Sequence, residues 1–115
     1  MKPTLIFLRT EPDSWNYIDT HAIVADFKKE SGIDDVKVVF KRLRTPVTIG
    51  DLYTNIQELT KEYNVKFLVL DDDCRIIPKV RGGDLRTNHV SIQMELRKIV
   101  ESTNIPIYVC NSRIV

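Results

Sequence analysis

The chain lacks the glycine spacing that strong nucleotide binding needs. It has four glycines in all, and neither a GxxxxGK[ST] nor a GxGxxG run. Its one adjacent pair, Gly82-Gly83, follows Arg81 and leads into Asp84. That pair does not open a helix directly after a strand, so it makes no phosphate cradle. Autonomous ATP binding or hydrolysis is therefore not expected. Cysteine is equally scarce. Cys74 and Cys110 have no metal-ligand spacing and form no disulfide framework. Both read as reduced thiols, and as a buried pair of small apolar side chains if their strands lie close. His21 and His89 have no cysteine or carboxylate at a metal-site spacing and read as surface or capping residues. The serines include no GxSxG elbow. No apolar run approaches the length of a membrane span. Met1-Lys2-Pro3 leads into a strand-like run without a small-residue cleavage site, so no signal peptide and a cytoplasmic location are expected.

Charge of one sign is also missing. Seventeen basic and sixteen acidic side chains give a formal net charge of +1. The whole-chain balance thus makes no case for nucleic acid or membrane, and only local clustering can. The 115 residues and a 43% hydrophobic share suit one soluble domain with one core.

What the chain does have is an alternation of strand and helix. Residues 4–9 (TLIFLR), 36–42 (VKVVFKR), 65–70 (VKFLVL) and 105–110 (IPIYVC) read as four strands. Pro106 sits near the start of the last one, where a missing N–H is tolerated. Ser14 can cap a first helix over about 15–29, with Ile18, Ala22, Ala25 and Val24 or Phe27 inward, and Ser31-Gly32 ends it. Thr48 with Asp51 resembles a capping box, and the helix after it places Leu52, Ile56, Leu59 and Tyr63 on one stripe. A third helix over about 88–102 buries Ile92, Leu96, Ile99 and Val100. Such alternation implies a small, open, mainly parallel four-stranded α/β sheet with about three helices and right-handed crossovers, Rossmann- or flavodoxin-like. The long segment 72–87 reads as an irregular loop, and loops of that length in small domains are usually functional.

The apolar run 65–70 ends in three carboxylates, Asp71, Asp72 and Asp73. Strands of a parallel sheet that are buried on both faces read as continuous apolar runs, and ligands bind outside their carboxyl ends. Glu11 follows the first strand and Asn111-Ser112 follow the last, so these positions share one rim with the acidic triplet. Phosphoryl transfer uses such a set. One carboxylate organises Mg²⁺, with Asp71 and Asp72 as candidate ligands, another orients water, and a neutral polar group senses phosphate. Aspartate is also an ordinary turn residue after a strand. Trp15, near Glu11, reads as a packing anchor or a stacking platform.

The segment "TPVTIGDLYTNIQELTKEYNVKFLVLDDD" is similar to the helix and Walker B strand of replicative helicases of the RecA/DnaB family. "IPKVRGGDLRTNHVSIQMELRKIVESTNIPIYVCNSRIV" resembles the loop, helix and sensor strand that follow. The family's Pro-Lys, Gly-Asp, Leu-Arg-Lys and Asn-Gln have counterparts in Pro78-Lys79, Gly83-Asp84, Leu96-Arg97-Lys98 and Asn111-Ser112. The resemblance implies a RecA-like core fragment in which Asp71 is the Walker B acid, Glu11 the water-activating base and Asn111 part of the sensor. It also assigns Arg75, Lys79, Arg81 and Arg86 to contacts with single-stranded DNA, a role that suits cations on a loop. The chain departs from the family in lacking the phosphate loop and in placing Ser112 where the sensor glutamine belongs.

The expected function is a binding or regulatory module in DNA replication or recombination, or one piece of a split ATPase, rather than an autonomous enzyme. A protein partner or a homo-oligomer is expected, with single-stranded DNA as a further ligand. A second reading is a Mg²⁺-dependent phosphotransfer or nuclease-type enzyme built on Glu11 and the acidic triplet. A third is a receiver- or flavodoxin-like interaction domain. With no phosphate-loop strand, the four strands can follow one another in the order 1-2-3-4. All helices would then lie on one face, and a partner would cover the other.

Overall fold

A computed structural model describes residues 1–10, 19–44, 47–72, 76–77 and 85–111, with the backbone alone at 72, 85–89 and 111. In chain order the elements are β1 (Pro3–Arg9), α1 (Thr20–Ser31), β2 (Lys37–Arg42), β3 (Val47–Thr48), α2 (Ile49–Glu62), β4 (Asn64–Asp72), β5 (Ile76–Ile77), α3 (Leu85–Thr103) and β6 (Ile107–Asn111). The four long strands form one sheet in the order β2-β1-β4-β6, and every pair is parallel. The α/β class read from the sequence is the one observed. The sequential strand order is not, because β1 lies between β2 and β4.

That order puts helices on both faces. The crossover from β1 goes to one side, toward β2, and the crossover from β4 goes to the other, toward β6. Crossovers of one hand that leave in opposite directions carry their helices to opposite faces. Accordingly Ile6, Leu8, Leu68 and Leu70 pack with Leu52, Ile56 and Leu59 of α2 and Ile92, Leu96 and Ile99 of α3. Leu5, Phe7 and Val69 meet Ile23, Val24 and Phe27 of α1 on the opposite face. The central strands are therefore dry on both sides, with Leu5, Ile6, Phe7, Leu68 and Val69 all at 0% exposure. Each such side chain contributes roughly 1.5–3 kcal/mol through burial.

Local chemistry sets the helix ends. Thr48 accepts the amide of Asp51 at 3.1 Å and starts α2, as the spacing predicts. Gly32 closes α1 in the left-handed region at φ 72°, with its N–H on the Lys28 carbonyl. The start of α1 differs from expectation. Asp19 is the cap, non-helical at φ −81° and ψ 86°, and its side chain accepts from Ala22 at 3.0 Å. The helix thus begins at Thr20, and Ser14 and Ile18 lie outside the described residues. Ala22 and Ala25 are exposed, while Ile23 does the packing. At the other end of the chain α3 begins at Leu85, so Arg86 belongs to its first turn rather than to a loop.

Two short strands, β3 and β5, pair in parallel through Val47–Ile76 and Thr48–Ile77. They tie the connection after β2 to the connection after β4. Val47 and Ile76 are buried in the core beneath α2 and α3.

Candidate functional site

In an open parallel sheet the crevice lies where neighbouring strands send their crossovers in opposite directions. Here that point is the carboxyl end of the β1–β4 pair. Register fixes what stands there. Leu8 faces Leu70 across the pair, so the next residues, Arg9 and Thr10, run beside Asp71. On the other side of β4, Leu70 pairs with Val109 and Asp72 with Asn111. The backbone thus brings Thr10, Asp71, Asp72 and Asn111 to one rim.

Asp71 is fully buried, at 0% exposure, and Thr10 at 2% is nearly so. The Thr10 amide donates to both carboxylate oxygens at 2.9 Å, and its hydroxyl donates to Oδ1 at 2.8 Å. Taking a carboxylate out of water is costly unless donors replace the water, and hydrogen bonds to a charged acceptor contribute about 1.5–3 kcal/mol each. Thr10 supplies such donors across 61 residues of chain. The pair clamps the exit of β1 to the exit of β4.

One strand further, Cys110 lies on the same face as Asp71. Burial, and then the negative charge of Asp71, push its thiol from the ordinary 9.0 up to about 11. Cys110 is half-buried and carries a free thiol, and Cys74 lies outside the described residues.

Of the catalytic, metal and DNA-contact residues expected from the sequence, only Asp71 has a described side chain. Asp72, Asn111 and Arg86 are placed by backbone alone, while Glu11, Asp73, Arg75, Lys79 and Arg81 lie outside the described residues. Among the described residues no three His, Cys, Asp or Glu side chains gather as a metal site. Asp71 itself does not present a ligand oxygen to solvent. His21 is on the exposed side of α1, in keeping with a surface histidine.

The residue that sequence reasoning missed is Thr10. A lone threonine after a strand carries no signal, and only the β1–β4 register reveals its partner. No described helix is long and apolar enough to cross a membrane. No known family matches the chain, and no curated protein is similar to it.

Proposed function

We propose that this chain is a phosphate-loop-less relative of the RecA/DnaB ATPase core that binds rather than catalyses. It would serve as a module in DNA replication or recombination whose ligand at the carboxyl rim is single-stranded DNA. The observation that carries the reading is the Thr10–Asp71 clamp at the point where the sheet's crossovers diverge. The acid that the resemblance makes a Walker B residue is buried and engaged by threonine, which suits a structural role. The clamp also anchors the connections that leave β1 and β4. The second of these carries Arg75, Lys79 and Arg81 and enters α3 at Leu85-Arg86. Three cations in that connection and a fourth, Arg86, in the first turn of α3 suit a phosphate backbone, whose binding is driven by counterion release.

The test is fluorescence anisotropy with a labelled oligo-dT strand of about 20 nucleotides. Four phosphate contacts on a single strand predict a salt slope near −2.8, so raising salt from 50 to 200 mM would weaken binding about 50-fold. Arg81→Ala with Arg86→Ala removes two contacts and should halve that slope. Absence of binding at 50 mM salt, or binding indifferent to these arginines, overturns the proposal.

A second reading has its own support. Numbered along the chain, the four long strands run 2-1-3-4, the order of the first four strands of flavodoxin-like sheets. That arrangement favours a protein-interaction domain, and failure to bind the oligonucleotide would leave that reading in place.

A further inference from the structure

The edge strand β2 is unlike the rest of the sheet. Among the described residues nothing pairs with its outer edge, because β2 ends the strand order. Its register on β1 separates its two faces. Val38 and Phe40 lie on the α1 side, opposite Leu5 and Phe7, while Lys37, Val39 and Lys41 lie on the other, opposite Thr4, Ile6 and Leu8. Phe40 stacks on Phe7 at 5.1 Å between ring centroids yet remains 52% exposed, and Val38 is 36% exposed. Between them and α1 runs a groove of about 660 Å³, lined by Thr20, His21, Val24, Ala25, Lys28, Val38 and Phe40.

The charge of this edge has one sign. From residue 37 to residue 44 the chain carries Lys37, Lys41, Arg42 and Arg44 and no acid. Across the groove stands Lys28. Helical geometry puts the acids of α1, Asp26 and Glu30, on the flank turned away from these groove residues. Lysine on an edge strand discourages self-pairing. A second copy placed edge to edge would bring two such cationic rows together, which excludes the chain's own β2 as occupant.

We propose that β2 accepts an extended segment of a partner protein whose residues alternate acidic and apolar, added as a fifth strand of the sheet. Main-chain hydrogen bonds would hold the segment, and side chains of period two would read the two faces. Its apolar residues lie beside Val38 and Phe40 over the groove, and its acidic residues lie beside Lys37 and Lys41. Nucleic acid satisfies the charge but leaves the apolar floor and the backbone edge unused. This surface is separate from the carboxyl rim, and the proposal does not rest on the DNA-binding reading.

The probe is a synthetic octapeptide of alternating Glu and Val, blocked at both ends, titrated into isotope-labelled protein. Strand addition slows exchange of alternate β2 amides at least tenfold. Lys37→Glu with Lys41→Glu weakens the octapeptide at least tenfold and creates binding for the Lys-Val counterpart. Both positions are exposed, so these variants keep the fold, and circular dichroism checks it. Three outcomes overturn the proposal: no protection of β2 amides at millimolar peptide, protection unaltered by charge reversal, or protection of β2 amides by oligo-dT and not by the peptide.

Discussion

Thr10 and Asp71 close on each other with three donor–acceptor contacts of 2.8–2.9 Å in a position without solvent. The pair joins the ends of the two central strands, so its loss should be felt by the whole sheet. Asp71→Asn places an amide NH₂ or a single carbonyl oxygen where two acceptors stood, and should cost about 2–3 kcal/mol. Thr10→Val removes the hydroxyl and keeps the amide, for about 1.5 kcal/mol, and Thr10→Ser should cost less. Urea unfolding of the two single variants and the double variant would give a coupling energy of similar size. An acid kept for chemistry behaves in the opposite way, since neutralising it usually raises stability. A more stable Asp71→Asn would therefore favour the acidic-cluster enzyme.

Gly32→Ala isolates a backbone effect. Gly32 sits at φ 72°, and a Cβ built there meets nothing within 4 Å. The cost is then the left-handed conformation alone, about 1 kcal/mol, with Gly32→Asn costing less. Thermal unfolding should fall by about 4 °C for alanine. A much larger fall would mean a steric clash that the geometry does not contain.

Much of the fold was legible because it rests on local physics. The apolar runs that became β1 and β4 are buried on both faces, and continuous hydrophobicity is the mark of such strands. The Thr48 cap, the Leu52, Ile56 and Leu59 stripe and the Gly32 stop are each written within a few residues. The start of α1 was not legible because Ser14 and Asp19 are both residues that cap helices, and propensity does not choose between them. The pairs β3 and β5, two residues each, are too short to carry a period. Strand order was illegible for a different reason. It depends on which connection crosses which strand, and the same alternating pattern suits 1-2-3-4 and 2-1-3-4 alike. The Thr10–Asp71 clamp inherits that illegibility, since it exists only because β1 sits beside β4.

The contrast between centre and edge gives a third prediction. Leu68→Ala removes a fully buried side chain between β4 and the two helices on its face, and should cost about 2–5 kcal/mol. Val38→Ala, on the exposed edge, should stay within about 0.5 kcal/mol. Denaturant midpoints of the two variants would check this. A costly Val38→Ala would mean that the edge is already covered.

Cys110 offers a test of the field around the clamp. Its thiol is raised to about 11, first by burial and then by Asp71. At pH 8 its thiolate fraction is about 100-fold below that of an ordinary thiol of pKa 9.0. The more basic thiolate is intrinsically more nucleophilic and recovers roughly a factor of ten, which leaves alkylation about tenfold slow before access is counted. In a Cys74→Ser background, iodoacetamide rates followed from pH 7 to 11 should rise with a midpoint well above 9. Asp71→Asn removes only the second cause, so the midpoint should fall part of the way and stop above 9.0. The same shift acts on stability. The native state holds this proton where the unfolded chain has released it, so the contribution is full below pH 9 and is lost as pH rises toward 11. Cys110→Ser should flatten that alkaline decline, and a decline unchanged by the substitution would place its origin elsewhere.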